Sequence, residues 1–462
     1  MKLIYNTDAK PKQIGYLKMV LFSLQQLLAI MAATILVPAI IGNGMSQTAA
    51  LFGAGIGTLV YQLCTKFKSP VFLGSSFAFL GSMSAAFAGG ISASAGYLGL
   101  IIGALLAGLV YVIISILIKF AGVNWINKLM PIVVIGPTVA LIGLSLAGTA
   151  VGNLTTGSVL NEAGVAVASP YVALVCGLVT LFATITASVY GKKMAKMIPF
   201  IIGIIAGYIV ATIFTVIGHA TGNEALLVID FSKFNNIQWV PDFTFLTAFS
   251  GNYDFGSFGS FAAYLGTIAM AYIPVAFVVF AEHIADHKNL STIIEKDLLT
   301  EPGLHRTLLG DGLGSMTGAF FGGCPNTTYG ESVGCVAISG NASTATITLT
   351  ALMAIAISFF GPFATLLATI PACVIMGGIC VALYGFIAVS GLKMIQNVDL
   401  NDNRNLFVVS VILITGIGGL TLTFGKITIT NIACALILGI LTNIIVNIKT
   451  NEKGHIIFKN KK

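Results

Sequence analysis

The sequence predicts an all-α polytopic membrane protein of fourteen transmembrane segments, built as two inverted repeats of seven. Three observations carry that prediction. Of 462 residues, 56% are hydrophobic and 8% charged, about a third of the charge that a soluble domain uses to cover its surface. Apolar runs long enough to cross ~30 Å of hydrocarbon recur along the whole chain, and they are continuous rather than alternating, which excludes a β-barrel. Basic residues, finally, gather on one side of those runs.

In the first half the segments fall near 17–41, 49–65, 70–89, 97–119, 130–150, 170–190 and 198–219. In the second they fall near 262–285, 307–323, 325–342, 344–366, 371–392, 405–422 and 430–448. The polar start MKLIYNTDAKPKQIGYLK carries no cleavage site and reads as no removable signal peptide. With that end in the cytoplasm, all of the 23 Lys and Arg except Lys233 and Lys426 face the cytoplasm. The connection 220–261, with Glu224, Asp230, Asp242 and Asp254, lies outside. Both termini, including a basic tail at 449–462, are therefore expected in the cytoplasm of a multi-pass protein of the plasma membrane. The net charge of +7 reads as this topology signal, and no nucleic-acid partner is expected. The 7 cysteines lie within or beside apolar runs and form no CxxC pair, so they read as small packing residues.

The repeat shows in the chain itself. MPIVVIGPTVALIG (130–143) resembles IPACVIMGGICVALYG (370–385), each opening the fifth segment of its half. The third and tenth segments are both short and rich in Gly and Ser. An odd number of segments per half inverts one half, 1–219, relative to the other, 262–448. Inverted repeats with a matched pair of interrupted segments point to a secondary transporter whose site lies where those segments meet.

All but three of the 16 acidic residues fall in loops, termini or segment ends, Asp286 at the end of the eighth segment among them. The three are Glu282, Asp311 and Glu331. An ionisable group within a span costs ~3 kcal/mol and is retained for function. Glu331 follows CPNTTYG, where Pro325 and Gly330 break the helix; its counterpart PVFLGSSFAF (70–79) also opens on proline. Both read as half-extended, half-helical segments whose backbone N–H groups face a cavity. Phe77, Phe79, Tyr329 and Tyr384 supply aromatic faces. With no Lys or Arg nearby, the site suits a small, planar, neutral ligand that offers N–H groups to carboxylates, and a buried carboxylate there can carry a proton. His283 reads as a packing histidine and His287 as solvated near a cytoplasmic loop.

The stretches GSSFAF, AEHIADHKNLS, DLLTEPGLHRTLLGDGLGSMTGAFFGGCPNTTYGESVG and MGGICVALYG resemble the nucleobase–ascorbate transporter (nucleobase:cation symporter-2) family, in its uracil:proton symporter branch. That resemblance implies a core domain from 17–119 and 262–366 and a gate domain from 130–219 and 371–448, with short antiparallel strands in segments 3 and 10. It implies a nucleobase, uracil, bound by Glu282 and Glu331, by the backbone N–H groups of Phe77 and Gly330, and by Tyr329 and Tyr384, with Asn326 orienting the strand. It further implies symport driven by the proton gradient without a cofactor, alternating access, and pairing of two copies. Two positions depart from the pattern: Gln26 and Asp286 stand where histidines are usual, so Asp286 becomes the candidate relay. Xanthine or another purine base on the same fold is the alternative cargo. A channel lacks specific support, and no nucleophile–base pair or metal cluster accompanies the carboxylates, so no enzyme is expected.

Overall fold

In lipid, continuous apolar segments satisfy their backbone polar groups as helices, and helices dominate the architecture. The computed structural model describes residues 3–122, 131–161, 165–192, 194–235, 237–424 and 427–448. The expected basic tail at 449–462 and Lys426 lie outside the described residues.

The first half runs α1 (Tyr16–Ile41), α2 (Gln47–Cys64), β1 (Leu73–Ser75), a 3-10 turn Phe77–Phe79, α3 (Leu80–Ala86), α4 (Ala93–Ala121), α5 (Ile132–Ser145), α6 (Pro170–Tyr190) and α7 (Pro199–Thr221). The second runs α8 (Phe261–Ile294), α9 (Leu304–Gly322), β2 (Asn326–Thr328), α10 (Gly330–Ser339), α11 (Thr344–Ser358) and α12 (Gly361–Thr369). A π-helical stretch, Cys373–Ile379, then leads into α13 (Cys380–Met394), α14 (Asn403–Ile417), a hairpin of β3 (Leu422–Phe424) and β4 (Ile427–Ile429), and α15 (Asn431–Val446).

Polar residues at the starts decide where several helices begin. Ser46, Ser92 and Ser260 each accept a backbone N–H three residues on, at 3.1, 3.3 and 3.3 Å. Among the described residues, seven helical stretches are long and apolar enough to cross a membrane: α1, α4, Ile132–Asn153, α6, α7, α8 and Cys373–Met394. The pair α11–α12, bent by 82°, makes an eighth.

Two packing groups emerge. α9 lies along α2 and α4, and α11 along α1 and α2. Separately, α5 packs on α13 and α14, α6 on α7, and α14 on α15. The α2–α9 contact is close because both helices are glycine-lined: a Cβ at Gly57 would come within 2.7 Å of the Gly314 carbonyl oxygen.

α8 differs from its expected extent. It runs on to Ile294, nine residues beyond 285. The charges of DHKNLS mark a change of surroundings, yet these residues keep helical backbone and cap it with Glu295 in a left-handed conformation. Asp286 is therefore in the interior of a helix.

Candidate functional site

The site begins with two broken segments. β1 and β2 pair antiparallel, Leu73 opposite Thr328, Gly74 opposite Thr327 and Ser75 opposite Asn326. Ser76 N–H extends the pairing to the Pro325 carbonyl at 2.9 Å. Proline at 325 cannot donate, so the strand stays three residues long. Each strand then turns helical, at Phe77 and at Gly330. The first N–H groups of a helix have no partner within it, and Glu331 lies in the first turn of α10.

Neighbouring helices hold the strands. Thr58 Oγ1 accepts from Leu73 N–H at 2.9 Å, and Asn326 Nδ2 donates to the Gly53 carbonyl at 3.0 Å. Ser332 Oγ accepts from Phe72 N–H at 3.1 Å and from Gln26 Nε2 at 2.6 Å. The Tyr329 hydroxyl donates to the Ser75 carbonyl at 2.6 Å. Gly74 makes that bond possible, because a Cβ there would fall on the Tyr329 ring.

In front of the strands lies a cavity of about 490 Å³, within the range of small-molecule sites. Phe77, Glu282, Asp286, Tyr329, Gly330 and Glu331 all line it. The opposite wall is apolar, with Val139, Ile142, Phe200, Leu383 and Phe386. Thr328 donates to Asp286 Oδ2 at 2.9 Å. Three carboxylates thus share one cavity with no lysine or arginine in its lining. Such a site favours hydrogen-bond donors over anions.

Three expected site residues lie apart from the lining. Asn326 is buried behind β2, and Gln26 is buried and donates to Ser332, which does not line the cavity either. Tyr384 is 2% exposed, packed one residue beyond the lining Leu383. Phe79 is also withdrawn, stacked on Tyr272 at 5.6 Å. Sequence reasoning missed the apolar wall, and missed Thr328 as the partner of Asp286 although it lies inside the quoted motif.

Behind the carboxylates is a buried polar network. His283 Nδ1 is 2.7 Å from Asp311 Oδ2, and its Nε2 is 3.0 Å from Thr307 Oγ1. His287, expected to be solvated, is wholly buried: its Nδ1 donates to the His283 carbonyl at 2.8 Å and its Nε2 is 2.7 Å from the Tyr61 hydroxyl. Tyr61 and Ser69 come from α2 and the segment after it, so no local pattern reveals the pairing.

Helices able to cross a membrane several times, around a cavity that holds three carboxylates, define a multi-pass membrane protein. The model of the Permease family matches residues 17–424, and the chain belongs to this family, that of the nucleobase–ascorbate transporters. It is 40% identical over 438 residues to the uracil permease of Bacillus caldolyticus, covering 92% of this chain and 90% of that protein. It is 37% identical over 445 residues to the uracil permease of Bacillus subtilis (strain 168), covering 94% and 95%. Among solved structures, the transmembrane domain of the cyanobacterium bicarbonate transporter BicA matches with TM-score 0.60 at 17% identity, over 96% of this chain and 99% of that one. The murine anion transporter Slc26a9 in its inward-facing state matches with TM-score 0.61 at 14% identity, over 93% and 68%. At these identities the two structures speak for the fold alone.

Proposed function

We propose that this protein imports uracil together with protons by alternating access. The observation that carries the reading is the convergence of Glu282, Asp286 and Glu331 with two helix starts on one cavity, in a chain whose relatives are uracil permeases. Uracil is planar and neutral, with two ring N–H groups and two carbonyls. Glu282 takes one N–H and Glu331 the other, while backbone N–H groups of Phe77 and Gly330 meet the carbonyls. Tyr329 flanks the ring, Tyr384 supports the wall from behind, and Asn326 and Gln26 brace the broken segments. Asp286, held by Thr328, takes the proton relay.

Fourteen segments in two inverted repeats, with both termini in the cytoplasm of the plasma membrane, fit the charge bias described above. In this reading the α1–α4 and α8–α12 group is the core that carries the substrate. The group around α5–α7 and α13–α15 is the gate, through which two copies pair. The proton gradient is the driving force, and no cofactor takes part.

The test is uptake of radiolabelled uracil in cells lacking their own nucleobase permeases, with and without a protonophore, and with unlabelled xanthine as competitor. Uptake that collapses with the protonophore and ignores xanthine supports cargo and coupling together. No uptake, or strong competition by xanthine, overturns the cargo.

A further inference from the structure

Glu331 lines two cavities. Besides the central one it borders a smaller space of about 160 Å³ between α1, α10 and the start of α7. Phe200 is the other residue common to both. The smaller cavity has mostly apolar walls, such as Leu28 and Ile198, and it reaches Lys196. Lys196 is exposed, and among the described residues it forms no ion pair. Further along α10, Gly334 and Cys335 complete the lining. A Cβ built on Gly334 meets nothing within 4 Å, so the space beside it is free.

A carboxylate enclosed by hydrocarbon exchanges its proton only along water. The central cavity offers water while it is vacant, but a nucleobase bonded to Glu331 covers the carboxylate on that side. The smaller cavity has room for about five waters at liquid density. Water in a small cavity persists where polar groups anchor it. Here Glu331 and Lys196 both line it.

We propose that this side cavity is a separate route for water and protons to Glu331, open while the nucleobase occupies the central cavity. The proton passes from the Glu331 carboxyl to cavity water and on to bulk water beside Lys196. The carboxylate left behind faces the lysine ammonium across the same space. This deepens the symport reading above and rests on it: Asp286 relays the proton within the central cavity that it shares with Glu331, Glu331 releases it, and substrate and proton use different doors on the cytoplasmic side.

Gly334→Leu tests the route by filling the free space. Uracil binding is expected to stay within about twofold of wild type and counterflow exchange to persist, while proton-driven uptake falls about tenfold. Wild-type uptake by Gly334→Leu, or loss of its uracil binding, overturns the separation of the two routes. A second measurement is independent of that variant. Cys335 is 4% exposed, so 2-(trimethylammonium)ethyl methanethiosulfonate, a fixed cation that does not cross bilayers, added on the Lys196 face of membrane vesicles, reaches it only through a cavity. Cys335→Ala serves as blank. Modification at an unchanged rate under saturating uracil supports the side route. Modification blocked by uracil, or absent altogether, overturns it. Failure of wild-type vesicles to take up uracil would instead remove the symport reading, and the Cys335 reaction would still report on the cavity.

Discussion

The Tyr329 hydroxyl, on the residue after β2, donates to the Ser75 carbonyl, at the end of β1, across 2.6 Å. Both residues are buried, and the bond joins the two broken segments. Tyr329→Phe leaves the carbonyl without its donor, at a cost of about 1–3 kcal/mol. The expected result is a several-fold rise in KM for uptake with normal delivery to the membrane. An unchanged KM would show that this bond does not shape the pocket.

Glu282→Gln and Glu331→Gln each keep the shape of the side chain and remove its charge. Both are expected to abolish uptake while the protein still reaches the membrane, as seen by surface labelling. Normal uptake in both variants would sink the site assignment.

Asp286 separates binding from coupling. Asp286→Asn retains an acceptor for Thr328 but cannot exchange a proton. Exchange of labelled for unlabelled uracil should continue, and accumulation against a gradient should fail. Concentrative uptake at the wild-type level would remove Asp286 from the relay.

The His283–Asp311 pair is wholly buried, with both side chains 0% exposed. Leaving one member of a buried hydrogen-bonded pair without its partner costs about 1–3 kcal/mol. Asp311→Ala should therefore lower the melting temperature in detergent strongly, and Asp311→Asn, which can still accept from His283, should lower it less. Equal losses in the two variants would argue that packing around Asp311, not the bond, holds α8 to α9.

That Glu282, Glu331 and Phe77 line one cavity is legible because the chain advertises them: proline and glycine interrupt apolar runs, and the carboxylates are conspicuous in hydrocarbon. The apolar wall was not legible for the converse reason. Val139, Ile142 and Phe200 lie in segments where nearly every residue is apolar, so lining a cavity leaves no mark on composition. Nor could spacing reveal the partner of His287, since Tyr61 lies 226 residues away. Tyr384 shows a finer limit. A motif locates a helix turn, but adjacent residues on a helix diverge by about 100°, so Leu383 meets the cavity and Tyr384 is turned aside.

The pairing of β1 with β2 also sets the order in which the molecule can be made. Residues 73–75 emerge from the ribosome some 250 positions before 326–328. Until then β1 is a strand without a mate at a depth where lipid offers no hydrogen bonds. A nascent chain that ends before β2 has its early helices but neither the second strand nor Glu331, and so only part of the cavity's lining. The cavity is therefore a late product of synthesis, completed only after most of the helices have been made.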